Sequence, residues 1–595
     1  MDLLKGIFRF FVVSFALFGF FIFLLIAGGV AAAVSYAKKQ ELLTPADTVL
    51  TITVDENIVE YASRDRILRE IFGPTVTLLD IVTQLDNAAT DPHVKGLLVR
   101  ITDHELSYAQ VQEIRDAVTA FRKSGKPTVA FADSFGELSR GMASYYLATA
   151  FDEIYVQPSG MVDISGIAAE NTFLKGLLAK LGVEPIGGAR KEYKNAWNIF
   201  TEEKYTGPHR EAVHRLLEST FERTVADIAV ARKLDPARVR ELVDRAPLFA
   251  GEALAEKLID GVKYRDEVLA LMAEKSACAV RTSIGRYEPI FPDVNVDATV
   301  AVIIAEGEIM RGRSEQGPFS KSHRIGSDTL AKAVRDAAAD PEVKAIVLRV
   351  NSPGGSVVAS ETIWHEVAKA VKDTDKPVIV TMSSLAASGG YYISMAADRI
   401  IAQPATITGS IGVIVGKFYT PEMWKKIGVT FDADQMGANA RLFSSLTKLD
   451  PAQNAFLQKT LDSVYDTFVT RAADGRKKKP DELEANARGR VWTGSDGLER
   501  GLVDELGGYP AAFAAVRKSL GLAPESMIAL KFYPEEPMFI NMLLDRTDDE
   551  DEEGVRSGLL SDVTGFLRRM AAFMALIEKS EERGMRLESE PVDIR

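Results

Sequence analysis

Asp340-Pro341-Glu342-Val343-Lys344-Ala345-Ile346-Val347-Leu348-Arg349 stands earlier in the same chain as Asp91-Pro92-His93-Val94-Lys95-Gly96-Leu97-Leu98-Val99-Arg100. Three further pairs follow at nearly the same offset. Lys126-Pro127-Thr128-Val129-Ala130 answers Lys376-Pro377-Val378-Ile379-Val380. Tyr145-Tyr146-Leu147 with Gln157-Pro158 answers Tyr391-Tyr392-Ile393 with Gln403-Pro404. Leu258-Ile259-Asp260-Gly261 resembles Leu502-Val503-Asp504-Glu505. A constant offset across separate matches is the mark of an internal duplication.

Each copy alternates strand and helix. The short β-branched runs 345–350 and 378–381 read as buried strands. Between them, 360–372 has helical spacing, with Ile363, Val367 and Val371 on one face. Strand, helix, strand at this spacing is a βαβ unit with right-handed parallel crossovers, so each half is an α/β layer structure. Residues 207–233 and 450–476, after the two cores, are expected to be amphipathic helices. Residues 431–441 are expected to form strand.

Two glycine-rich turns stand in the second half, Asn351-Ser352-Pro353-Gly354-Gly355-Ser356 and Ala386-Ala387-Ser388-Gly389-Gly390-Tyr391, each directly after a strand. A strand that enters a helix through such a turn leaves backbone N–H groups accessible, and two facing turns can bind one oxyanion. Ser388 sits where the helix begins, its hydroxyl presented as a nucleophile. At the matching places the first half has His104-Glu105-Leu106 and Met142. One half therefore retains the reactive turns and the other reads as scaffold.

A serine nucleophile needs a base. Of the six histidines only His365 lies near the turns, flanked by Trp364 and Glu366, and it reads as a surface residue. The alternative is a lysine made neutral by burial. Residue physics alone does not select one lysine from the others.

The chain has 595 residues, more than one core usually serves, with 46% hydrophobic and 26% charged residues. Its net charge of −13 argues against a nucleic-acid-binding surface. The single cysteine, Cys278, excludes an intrachain disulfide and reads as packing. Residues 10–37 carry no charge and are long enough to cross a bilayer. They are expected to form an uncleaved anchor in preference to a signal peptide, whose apolar core is shorter. Lys5 and Arg9 on one side against Lys38 and Lys39 on the other leave its orientation open. At the other end, the acidic run 548–553 is expected to be solvated, and 559–577 to form an amphipathic docking helix.

The two glycine turns, the duplication and the N-terminal apolar segment together resemble the signal peptide peptidase A family, in its long, duplicated bacterial form, within the ClpP/crotonase-like superfamily. The resemblance implies tandem ClpP/crotonase-like βαβ domains preceded by a transmembrane helix. The divisions would be 8–37 (anchor), 48–285 (first repeat), 298–532 (second repeat) and 533–595 (tail). It implies a Ser/Lys dyad that joins Ser388 of the second repeat to Lys194 of the first, in the Tyr193-Lys194-Asn195-Ala196 motif. Ala440 occupies the corresponding place in the second copy. Ser410, in Thr408-Gly409-Ser410-Ile411-Gly412, would orient the lysine, and the N–H groups of Gly354 and Gly389 would hold the oxyanion. No metal or cofactor is implied. The implied protein is a homotetramer in the bacterial inner membrane, single-pass, with its catalytic region periplasmic. It would degrade released signal peptides and other apolar peptides. A crotonase-like acyl-thioester hydrolase and a catalytically silent membrane scaffold are the competing readings.

Overall fold

The computed structural model describes residues 47–55, 57–62, 75–137, 140–289, 296–314 and 324–535. The expected anchor lies outside the described residues, as does the expected tail apart from 533–535. No described helix is long and apolar enough to cross a membrane.

In the first half β1 (Thr48–Val54), β2 (Val94–Ile101), β3 (Thr128–Ala132) and β4 (Glu153–Val156) lie side by side, all parallel. Short strands Arg281–Ser283 and Gly261–Val262 flank β1 and β4. Helices α1 (Leu78–Thr90) and α2 (Tyr108–Arg122) cover this sheet, each opened by a capping box, on Thr77 and Ser107. The chain then forms β5 (Glu184–Arg190), which leaves its own half, and the long helix α3 (Gly207–Arg232), capped by Thr206.

The second half repeats the order. β6 (Ala298–Glu306), β7 (Val343–Ser352), β8 (Val378–Ala387) and β9 (Arg399–Ala402) are again parallel neighbours. Ile528–Tyr533 flanks β6 and Glu505–Leu506 flanks β9. Even the register recurs: Leu97 pairs with Thr128 as Ile346 pairs with Val378. Strands buried on both faces read as continuous apolar runs, which is why the duplicated phrases were the visible ones. Helices α4 (Ser327–Ala339), α5 (Val357–Asp373), α6 (Gly389–Ser394), α7 (Pro451–Gly475) and α8 (Tyr509–Ser519) belong to this half.

One difference between the copies matters for chemistry. β3 has 5 residues and β8 has 10. The extension of β8 pairs with β10 (Ile407–Gly409), Ala387 opposite Gly409, and carries Ser388 beyond the sheet edge. After β10 comes β11 (Val413–Tyr419), which pairs antiparallel with β5 along its whole length, from Val413 opposite Arg190 to Tyr419 opposite Glu184. A strand of the first half thus completes a ribbon on the second.

The halves share a core. Val300, Val302, Val347, Ile379, Tyr509 and Phe513 of the second half pack in one apolar cluster with Leu50, Leu78, Leu85 and Val99 of the first. Across the same seam Arg349, fully buried, donates through Nε to Glu60 at 3.0 Å and through Nη2 to Glu113 at 2.8 Å. Its counterpart Arg100 pairs at the surface with Asp133. Cys278 is buried in a small apolar cluster with Val268 and Met272.

The strand expected over 431–441 is absent: these residues form exposed turns. Asp432 and Asp434 accept from the N–H groups of the residues after them, and Gly437 has φ +96°. Such local side-chain bonds compete with a ladder, and no neighbouring face offers burial in exchange.

Candidate active site

β8 ends at Ala387 and α6 begins at Gly389, so Ser388 is the whole connection. It bends the chain with φ +55° and ψ −118°, a conformation costly for a residue with a Cβ and typical of functional turns. Its N–H is held by the Gly409 carbonyl at 2.9 Å.

The second glycine turn lies directly against it. A Cβ built on Gly354 would stand 2.6 Å from Gly389 N and 2.9 Å from Ser388 Cβ, and one on Gly389 would stand 2.6 Å from Ser360 Oγ. The two turns approach this closely only because both positions are glycine. Gly389 N–H is at the first helical position, without an intrahelical partner. Gly354 N–H differs from a free donor: it is engaged by Ser352 Oγ at 3.2 Å. That long contact has to be shared or released for Gly354 to reach an oxyanion.

Lys194 follows β5 and opens the short 3-10 turn Asn195–Trp197. Pairing of β5 with β11 carries it across the seam. Its Nζ lies 2.9 Å from Ser388 Oγ, 2.9 Å from Ser410 Oγ and 2.9 Å from the Ser410 carbonyl oxygen. Lys194 is 7% exposed, and burial lowers its pKa from the usual lysine range to about 7. Ser410 also has positive φ, +53°, and its N–H donates to the Arg490 carbonyl at 2.7 Å. The structure therefore brings together Ser388, Lys194, Ser410, Gly354 and Gly389 from four separate segments. His365 is exposed on α5.

In the first half Met142, buried, opens the helix that corresponds to α6. A contact that the sequence did not suggest lies beside it: His104 Nε2 is 3.2 Å from Ser144 Oγ. Leu106 N–H donates to His104 Nδ1 at 3.3 Å, so the ring proton sits on Nε2 and points at the serine. Burial holds the imidazole pKa down at about 4. This histidine donates to the serine and is the wrong tautomer to deprotonate it. Among the described residues no three His, Cys, Asp or Glu side chains are grouped to hold a metal ion.

Sequence reasoning missed β5 itself. Glu184-Pro185-Ile186-Gly187-Gly188-Ala189-Arg190 has one proline and two glycines, a poor intrinsic strand. Its extended state comes from pairing with β11, which no local pattern announces.

Comparison with known proteins now separates the candidate chemistries. The model of peptidase family S49 matches residues 120–279 and 370–523, one region in each half. Protease 4 of Salmonella typhi is 33% identical over 553 residues, which cover 88% of this chain and 86% of that protein. The chain belongs to peptidase family S49. This S49 peptidase is also 29% identical to the chloroplastic serine protease SPPA of Arabidopsis thaliana, over 81% of this chain and 71% of that one. A putative signal peptide peptidase SppA of Enterococcus faecium is 37% identical over 32% of this chain and 56% of its own. A ClpP1 mutant from Listeria monocytogenes aligns over 34% of this chain and 90% of that chain, at 14% identity and TM-score 0.22. The S49 peptidase is thus an SppA-type, serine-type peptidase on a duplicated α/β fold.

Proposed function

We propose that Ser388 is the nucleophile of this peptidase and Lys194 its general base, in a site that neither repeat contains alone. The carrying observation is the 2.9 Å contact between Lys194 Nζ and Ser388 Oγ. A neutral amine has two hydrogens and one lone pair. The hydrogens suit the two acceptor oxygens of Ser410, and the lone pair is left for the Ser388 hydroxyl.

The reaction follows from that geometry. Lys194 takes the Ser388 proton as Oγ bonds to the scissile carbonyl carbon. The oxyanion is met by Gly389 N–H and, after it leaves Ser352, by Gly354 N–H. Lys194 then returns the proton to the departing amine. A water activated by the same amine attacks the acyl-enzyme, and Ser388 is regenerated. Ser410 holds the lysine in line and contributes no proton of its own.

The substrate reading is that of an endopeptidase acting on cleaved signal peptides and other apolar peptides, supported by the name of the Enterococcus relative, a putative signal peptide peptidase. We place the protein in the bacterial inner membrane as a homotetramer, anchored through 8–37, with its catalytic region periplasmic. The uncharged run 10–37 supports the anchor.

A fluorophosphonate probe tests the chemistry. The full-length protein is expected to be labelled on Ser388, and Ser388→Ala to lose both labelling and peptide hydrolysis while melting at the wild-type temperature. Hydrolysis at the wild-type rate by Ser388→Ala would refute the assignment. Synthetic signal peptides, compared with polar peptides of equal length, test the substrate class.

A further inference from the structure

Lys194 and Ser410 belong to different repeats, and a third segment touches both. We propose that Arg488-Gly489-Arg490 is the positioning element that holds the Lys194 turn of the first half against the Ser410 turn of the second, a role that rests on the Ser388–Lys194 reaction above.

The main chain of this segment bonds to both turns. Tyr193 N–H donates to the Arg488 carbonyl at 3.2 Å, on the lysine side. Gly489 N–H donates to the Ile411 carbonyl at 2.8 Å, and Ser410 N–H to the Arg490 carbonyl at 2.7 Å, on the serine side. Gly489 has φ +80°, and a Cβ there would stand 2.6 Å from Lys194 N, 2.6 Å from Lys194 Cβ and 2.8 Å from Lys194 Cα. The backbone of Lys194 therefore rests on a residue that must be glycine twice over, by conformation and by space.

The Arg490 side chain repeats the grip. Its guanidinium lies 4.8 Å from the centre of the Tyr193 ring and 4.1 Å from that of Trp492. Nη1 donates to Glu211 Oε1 at 2.6 Å, and the Tyr193 hydroxyl donates to Glu211 Oε2 at 2.8 Å. Tyr193 is the residue before the lysine. Arg490 thus holds the lysine turn by its side chain and the serine turn by its carbonyl. The segment is itself fixed to the second half. Tyr465 on α7 accepts from Arg488 N–H at 3.2 Å, and Val491 pairs with Gly409 of β10.

The charged groups around the lysine turn are each paired: Lys191 with Glu484, Arg488 with Glu192, Arg490 with Glu211 and Arg190 with Asp462. The amine of Lys194 is therefore kept from water by packing, and loosening the segment admits water to it. Hydration raises the lysine's proton affinity, so less of it is neutral at a given pH.

The test measures kcat and KM against pH for apolar peptide hydrolysis by full-length Gly489→Ala, Arg490→Ala and Glu211→Gln, with Lys194→Ala alongside and folded protein quantified by thermal melt. The expected result is a kcat reduced about tenfold or more, with KM little changed and the acidic limb of the profile displaced to higher pH. A limb that stays at the wild-type position in all folded variants overturns the proposal, even if Tm and kcat fall, because that is what a merely structural role produces. Should Gly489→Ala fail to fold, Arg490→Ala and Glu211→Gln decide the matter. An inactive Lys194→Ala beside unmoved limbs sinks the positioning role alone. A fully active Lys194→Ala sinks the dyad and the positioning role with it.

Discussion

Burial is what suits Lys194 to the role of base proposed for it. Among the described residues no charge lowers its pKa; desolvation brings it to about 7. A lysine in water is protonated at that pH and cannot accept from a serine. The sign of the pH dependence follows. Peptide hydrolysis, as kcat/KM, is expected to rise with pH through an acidic limb near 7, where Lys194 loses its proton in the free enzyme. Ser410 contributes two acceptors at 2.9 Å. Ser410→Ala removes one and keeps the carbonyl, so kcat is expected to fall by about 10-fold to 100-fold, less than for Lys194→Ala, in steady-state assays. The role of Ser388 was legible in the sequence because a strand, one residue and a glycine-rich helix start are consecutive there. Lys194 was not: its environment is assembled from residues far away in the chain, and only the family resemblance singled it out.

At the scale of elements, the decisive feature is the β5–β11 ribbon. Trp197 lies three residues beyond Lys194 and packs on its floor. A Cβ on Gly416 would stand 2.4 Å from the Trp197 ring, and one on Gly187 would stand 2.6 Å from Gly416 Cα. Gly416→Val is therefore expected to displace Trp197, and with it the lysine turn, and to lower kcat by about 100-fold without unfolding the sheets. Hydrolysis assays with circular dichroism check this, and wild-type kcat in a folded variant would contradict it. The parallel strands of both sheets were readable as apolar runs. β5 was not, since its glycines serve cross-strand contacts instead of local propensity. The 431–441 segment failed in the other direction, where turn-forming Asp and Gly outweighed its apolar members.

For the whole molecule, duplication has put the two members of the proposed dyad on different halves. The first half keeps the strand order and lends a lysine, while its own turn region holds Met142 and a histidine in the wrong tautomer. The second half keeps both glycine turns. Such a site requires the halves to stay in register, and the buried Arg349–Glu60–Glu113 group lies on that seam. Burial raises the carboxylate pKa values; Arg349, with hydrogen bonds from Ser383 and Gln110, outweighs this at Glu60, whose pKa is lowered, while Glu113 stays raised. Arg349→Ala leaves both acids buried without their cation and is expected to cost about 3–5 kcal/mol in chemical denaturation. A loss below about 1 kcal/mol would show that the seam is held by apolar packing alone. The duplication predicted two like sheets; it did not show that their cores merge, because contacts between repeats leave no periodicity in either one.

The central claim is that one lysine from the first repeat activates one serine from the second. The rate at which a fluorophosphonate acylates Ser388, followed against pH in full-length wild type and Lys194→Ala, tests it most directly. The wild-type rate is expected to climb through a limb near 7, and the variant to be slower by several orders of magnitude with no such limb. A Lys194→Ala protein that reacts at the wild-type rate, with the limb in place, would contradict the account.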